Sequence, residues 1–129
     1  WDDTMLTIKQ EQNQDVVADF LQKQGSDVDL SDDIVMTSRD GETMIGLGSL
    51  SLNAGKVYLN HIIFAPEFED ELMVQGLAKA LLNLADLRGI RVVYGAEPAL
   101  EKLYAALGFQ NKNEEYVLQL EGYFTKKHS

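Results

Sequence analysis

The sequence predicts a mixed α/β (α+β) fold, a central sheet with helices on both faces in the order β-α-β-β-β-α-β-α-β. Three observations predict it. Leu72, Met73, Gly76, Leu77, Ala80, Leu81, Leu84 and Ala85 recur at helical spacing and make one wide apolar stripe. Upstream of that stripe, three strand-like runs between residues 34 and 65 are separated only by short turn sequences, which reads as an antiparallel meander. Downstream, a strand, a helix and a further strand follow, so the stripe is a crossover helix and the sheet mixes parallel with antiparallel pairs. The 129 residues are expected to form a single domain, 1–129, ending in a flexible tail over 120–129.

In chain order, MLTIKQ (5–10) alternates as a short strand. QDVVADFLQKQG then sets Val16, Val17, Phe20 and Leu21 on one helical face, with Gly25 as the stop. The acidic SDVDLSDD is a polar connection. IVMTS reads as a strand, RDGE as a turn carrying Asp-Gly, and TMIGLGSLSL as the returning strand. A second turn, NAG (53–55), leads into KVYLNHIIFA, which is too apolar to have one wet face and is expected at the centre of the sheet. The striped helix runs from Glu69 to a stop at Arg88-Gly89. IRVVYG is the next strand. Glu97-Pro98 opens a second helix with Pro in its first turn, Leu100, Leu103, Tyr104 and Leu107 on one side and Gly108 at its end. EYVLQL closes the sheet.

Composition narrows the function classes. Eleven Lys and Arg against 21 Asp and Glu give a net charge of −10, a poor surface for nucleic acid and an attractive one for cationic amines. No apolar run is long enough to cross a bilayer and no basic-then-apolar leader opens the chain, so a cytoplasmic protein without a membrane partner is expected. The absence of cysteine excludes disulfides, thiolate metal sites and a cysteine nucleophile. No His-x-x-x-His or Ca²⁺-loop spacing suggests a metal, and neither Ser49 nor Ser51 sits in a Gly-x-Ser-x-Gly elbow.

Several stretches resemble the GNAT superfamily of N-acetyltransferases, over roughly Thr4 to Leu120. LTIKQ with DVVADFL is similar to the opening strand and helix, and GETMIGLGSL to the second and third strands. HIIFAPEF is similar to the fourth strand and its Pro-Glu-Tyr continuation. LYAALGF (103–109) resembles the Leu-Tyr-x-x-x-Gly-Phe signature, and the Pro66 to Gly89 spacing equals that of a typical member. The resemblance implies acetyl-CoA as co-substrate and acetyl transfer to a primary amine on a small molecule or peptide. It implies that pantetheine pairs with the fourth-strand backbone, here at Ile62 and Phe64, and that pyrophosphate sits on the N-terminus of the following helix.

The family's phosphate loop has Arg or Gln, two residues, Gly, one residue, then Gly or Ala. Laid without gaps, these positions fall on Glu69, Leu72 and Val74; with a four-residue insertion they fall on Met73, Gly76 and Ala78. Glu67, Glu69, Asp70 and Glu71 add carboxylates that either repel a phosphate or cap the helix themselves. Tyr104 matches the family's tyrosine, implying a general acid for the departing thiolate; its alternative is a packed ring with a satisfied hydroxyl. His61 or a water is the expected base, against a core or surface histidine whose hydrogen bonds are met locally. The acidic residues of SDVDLSDD are either a solvated loop or the rim of a cationic-substrate site. Three functions follow: an acetyl-CoA-dependent N-acetyltransferase, a GNAT-like binding or regulatory module without CoA, and a dimerising domain that pairs with a second copy as a homodimer.

Overall fold

A computed structural model describes residues 6–124; Met5, the start of the MLTIKQ strand, and His128 lie outside the described residues. The chain forms β1 (Leu6–Glu11), α1 (Gln14–Lys23), β2 (Ile34–Asp40), β3 (Thr43–Asn53), β4 (Lys56–Phe64), α2 (Glu71–Leu87), β5 (Val92–Gly95), α3 (Glu101–Leu107), β6 (Gln110–Lys112) and β7 (Glu115–Gln119). These strands make one sheet in the order β1-β2-β3-β4-β5-β7-β6, in which β4 and β5 are the parallel pair. The nine expected elements are present in their expected order. β6 is an addition: its residues are polar and exposed, so no periodicity announces it. It is dictated by the two-residue turn Asn113-Glu114, whose φ values of 51° and 72° fit the hairpin turn that follows the twist of paired strands.

The helices divide between the two faces according to their apolar stripes. Val17, Phe20 and Leu21 of α1 pack on Val35 and Leu47. On the other face, Ala78, Leu81, Leu82 and Ala85 of α2 join Leu103, Tyr104 and Leu107 of α3 over Leu50, Leu59, Val93 and Leu118. Leu77, Leu81 and Leu82 have no accessible surface, and full burial of each such side chain stabilises by about 1.5–3 kcal/mol. Of the tail expected over 120–129, residues 120–124 are described and their start is anchored to the fold. Leu120 is buried, and the Tyr123 hydroxyl donates to the Leu107 carbonyl at 2.6 Å, so Leu120 and Tyr123 hold this segment against the end of α3.

Three glycines set how closely layers approach. A Cβ on Gly46 would stand 2.5 Å from the Phe64 ring, one on Gly48 2.7 Å from Ile62, and one on Gly95 2.3 Å from the Tyr104 ring. The ring of Tyr104 can therefore lie flat against β5 only because residue 95 lacks a side chain. Gly76, inside α2, meets nothing within 4 Å and carries only the helix-interior cost of glycine. Gly95→Ala should lose about 1–3 kcal/mol of stability through overpacking. Gly76→Ala should gain about 0.5–1 kcal/mol. Urea unfolding of both variants checks the opposite signs.

Candidate active site at the split between β4 and β5

β4 and β5 pair only at Val57–Val93 and Tyr58–Tyr94, after which β5 ends and β4 runs on to Phe64. An irregularity in β4 starts the divergence. Between Ser49 and Ser51 the β3 register advances two residues while β4 passes from His61 to Tyr58, so β4 carries one extra residue at Leu59–Asn60. The bulge leaves polar groups to be met elsewhere. The Asn60 side-chain oxygen accepts from the Ala96 amide at 2.9 Å, replacing a ladder bond at the point where β5 departs. Farther on, the Ala65 amide bonds the Ile45 carbonyl at 2.9 Å, which makes Gly46–Phe64 and Gly48–Ile62 the non-hydrogen-bonded pairs. The N–H and C=O of Ile62 and Phe64 thus point away from β3, into the split.

Tyr104 closes the base of the split. Its hydroxyl donates to the Leu59 carbonyl at 2.7 Å, accepts from the Glu97 amide at 3.2 Å and lies 3.3 Å from Asn60 Oδ1. The residue has no accessible surface, and its ring packs between Phe109 and Tyr116, each centroid 5.0 Å away. Burial pushes its pKa up to about 12, the Glu97 amide opposing and the Glu97 carboxylate reinforcing the shift. The phenol is therefore protonated throughout the neutral range, with its proton directed at a backbone carbonyl. Asn60 and Glu97 are members of this network that sequence reasoning missed in these roles. Asn60, a lone amide in the apolar run YLNHIIF, was the available signal.

His61 lies on the other face. It pairs with Ser49 on the side that α1 covers, half-buried, whereas Tyr104 reaches β4 from the side of α2 and α3. The structure thus places the two candidate catalytic side chains on opposite faces of β4, flanking the bulge. Next to His61, the Ser49 hydroxyl is buried without a hydrogen-bond partner, as is that of Thr37.

α2 begins two residues later than expected. Asp70 has extended backbone (φ −152°, ψ 140°) and its carboxylate caps the Met73 amide at 3.4 Å; Glu67 lies in a short 3₁₀ turn, Pro66–Phe68, before the helix. A cavity of about 600 Å³ separates this end of α2 from α3, lined by Glu69, Asp70, Glu71, Val74, Lys102 and Leu103 among others. Leu72 is 77% exposed and does not line this cavity, whereas Val74, the other bulky residue at a small-residue position of the loop, does. Among the described residues, the amides of Glu71 and Leu72 have no protein acceptor and face solvent. The donors for a pyrophosphate fit, two free amides and the Lys102 ammonium, but three carboxylates line the same space. A larger cavity of about 820 Å³ lies between α1 and the 24–33 connection, with Glu11, Asp15, Asp27, Asp29 and Asp33 in its lining.

No protein-family model matches the sequence, and no curated protein does. Solved structures do match. An N-acetyltransferase from Staphylococcus aureus Mu50 superposes with a TM-score of 0.71 at 15% identity, over 91% of this chain and 99% of its own. The N-acetylglutamate synthase of Neisseria gonorrhoeae, solved with coenzyme A and N-acetylglutamate, gives 0.71 at 16% identity, over 92% of this chain and 36% of the larger enzyme. A protein from Desulfovibrio desulfuricans assigned to the GNAT family of acetyltransferases gives 0.68 at 12% identity, over 90% and 99% of the two chains. The chain has the GNAT acetyltransferase fold, and the resemblance on LYAALGF and HIIFAPEF is met by the architecture.

Tyr104→Phe should cost about 1–3 kcal/mol at neutral pH, because the Leu59 carbonyl and the Glu97 amide lose their buried partner. The raised pKa gives this residue a signature in alkali. Its contribution to stability is complete below pH 10, the value for an unburied phenol, and is lost as pH rises toward 12. Urea melts at stepped pH should show stability falling across that window more steeply in the wild type than in Tyr104→Phe. Equal slopes would mean that the hydroxyl is not buried as described.

Proposed function

We propose that this protein is an N-acetyltransferase that moves an acetyl group from acetyl-CoA to a primary amine carried by a small molecule or peptide. The observation that carries this reading is the split itself: an unpaired β4 edge at Ile62 and Phe64 that leads toward a helix N-terminus with free amides. Those backbone groups would pair with the pantetheine arm as a further strand, and the Glu71 and Leu72 amides with Lys102 would meet the phosphates. Bound acetyl-CoA would supply the acetyl group as a thioester. In the transfer a C–N bond forms and the C–S bond breaks; the amine's proton leaves to His61 or a water, and the sulfur takes the proton of Tyr104. Tyr104 can act so only by turning from the Leu59 carbonyl, and its high pKa keeps it protonated until then.

One specific observation favours a second reading, a GNAT-like module that has lost CoA and serves in binding or regulation. Asp70 already caps the Met73 amide, and Glu69 and Glu71 flank the same helix end, so the chain's own carboxylates occupy the electrostatic niche of a phosphate.

Calorimetric titration with CoA separates the two. An acetyltransferase binds CoA, gains about 2.7 kcal/mol of stability at a hundredfold excess over Kd, and binds roughly tenfold more tightly when Glu69 and Glu71 are both changed to Gln at low salt. A flat response at millimolar CoA in both proteins would establish the module. Where CoA binds, Tyr104→Phe should lower kcat with CoA affinity unchanged.

A further inference from the structure

The sheet face opposite α2 and α3 carries a polar aromatic cluster that the proposed transfer does not use. Ser51, Tyr58, Tyr94 and Val117 stand in one cross-strand row. Val93 is buried beneath α2 and α3, so its neighbour Tyr94 points to the other face, and α1 packs farther along over Val35 and Leu47. Tyr58 and Tyr94 are thus left half-buried, their rings 5.7 Å apart and tilted by 38°. Beside them, one oxygen of Glu115 accepts from the Tyr58 hydroxyl at 2.6 Å, which fixes the direction of the carboxylate. The other oxygen accepts from the Lys56 ammonium at 3.4 Å, and that ammonium sits 4.6 Å from the centroid of the Tyr94 ring. At the far end of the row, Ser51 donates to a second carboxylate, Asp33, at 3.2 Å.

An aromatic face with an oriented carboxylate beside it is what an alkylammonium group requires, cation–π attraction on one side and a charge-assisted hydrogen bond on the other. Here the protein's own lysine supplies that group. Lys56 and Glu115 are 43% and 30% exposed, so the pair is weakly held and the flexible lysine stem can swing away. The net charge of −10 draws any competing cation toward the face.

We propose that Tyr58, Tyr94 and Glu115 form a binding site for an alkylammonium group, which Lys56 fills in the free protein and a ligand amine takes over by displacing it. Granted the acetyltransferase reading, this site holds the acceptor by a nitrogen other than the reacting one. Ile62 lies four residues beyond Tyr58 on β4, but the bulge takes up one of them, so the two stand about 10 Å apart, as their partners Gly48 and Ser51 do on β3. The acceptor class is then an aliphatic diamine of about eight carbons or a longer polyamine, one nitrogen held as the cation and the other presented, uncharged, at the split.

The probe is 1,8-diaminooctane, titrated without CoA at physiological salt and followed by NMR of the Tyr58 and Tyr94 ring protons. Lys56→Met should tighten binding roughly tenfold by removing the internal competitor, and Glu115→Gln should weaken it by a similar factor. Asp19→Asn, which removes one exposed charge on α1, should change it less than twofold. Unchanged affinity in Lys56→Met, or a loss in Asp19→Asn equal to that in Glu115→Gln, would overturn the site and leave only diffuse attraction to an acidic surface. The acetyltransferase reading fails separately: 1,8-diaminooctane binding with this pattern but no acetylated product in the presence of acetyl-CoA would sink the transfer and leave the ammonium site standing.

Discussion

One extra residue in β4 governs the architecture of the candidate site. The bulge at Leu59–Asn60 lies at the last point where β4 and β5 are paired, and it turns the Leu59 carbonyl toward α3. Without a partner that carbonyl would be a buried acceptor left unmet, at a cost of about 1–3 kcal/mol. Tyr104 supplies the partner, and its hydroxyl in turn receives the Glu97 amide from the β5–α3 connection. The same three groups that hold the split open also fasten α3 to the sheet. Gly95 belongs to the arrangement, since any side chain there would displace the ring that delivers the hydroxyl.

The electrostatics of α2 pull against the geometry. The unpaired edge at Ile62 and Phe64 and the free amides of Glu71 and Leu72 suit an elongated anionic ligand. Glu69, Asp70 and Glu71 oppose it from the same cavity, with Lys102 the cation among its lining residues. The first-turn acid is explained in part by capping, which Asp70 performs for Met73, and in part by favourable interaction with the helix dipole. On the far face of the sheet, the cluster of Tyr58, Tyr94 and Glu115 has the opposite preference. The two sides of β4 thus differ in character, free amides rimmed by carboxylates on one and tyrosines beside a carboxylate on the other, with the charge of the whole chain favouring cations.

Much of the fold was legible because its elements obey simple periods. The α2 stripe, the Asp-Gly and Asn-Ala-Gly turns and the uniformly apolar β4 each announce themselves through one physical requirement, a buried face or a positive φ. β6 was not legible, because its pairing is imposed by the Asn113-Glu114 turn and not by burial. The packing of Tyr123 against Leu107 was equally hidden, since a polar chain end gives no sign of the carbonyl it will meet. At the site, Tyr104 was found through its motif, but its hydrogen bonds were not, because they depend on a bulge that no residue pattern encodes. Asn60 did leave a signal, a lone amide in an apolar strand, but which amide it would meet depends on where β5 departs. The Lys56–Glu115–Tyr58 cluster joins residues 57 and 59 positions apart in the chain, so only the folded sheet brings them together.

The β4 edge at Ile62 and Phe64 is an open strand edge that an extended ligand would pair with. Amide hydrogen exchange of these two residues, resolved by NMR with and without CoA, tests it most directly. Slowing of both amides on addition of CoA, with those of Leu47 and Ile63 in the β3–β4 ladder unchanged, is the predicted result. Exchange at Ile62 and Phe64 that is already slow in the free protein, or that CoA leaves unaltered while it binds elsewhere, would contradict the account.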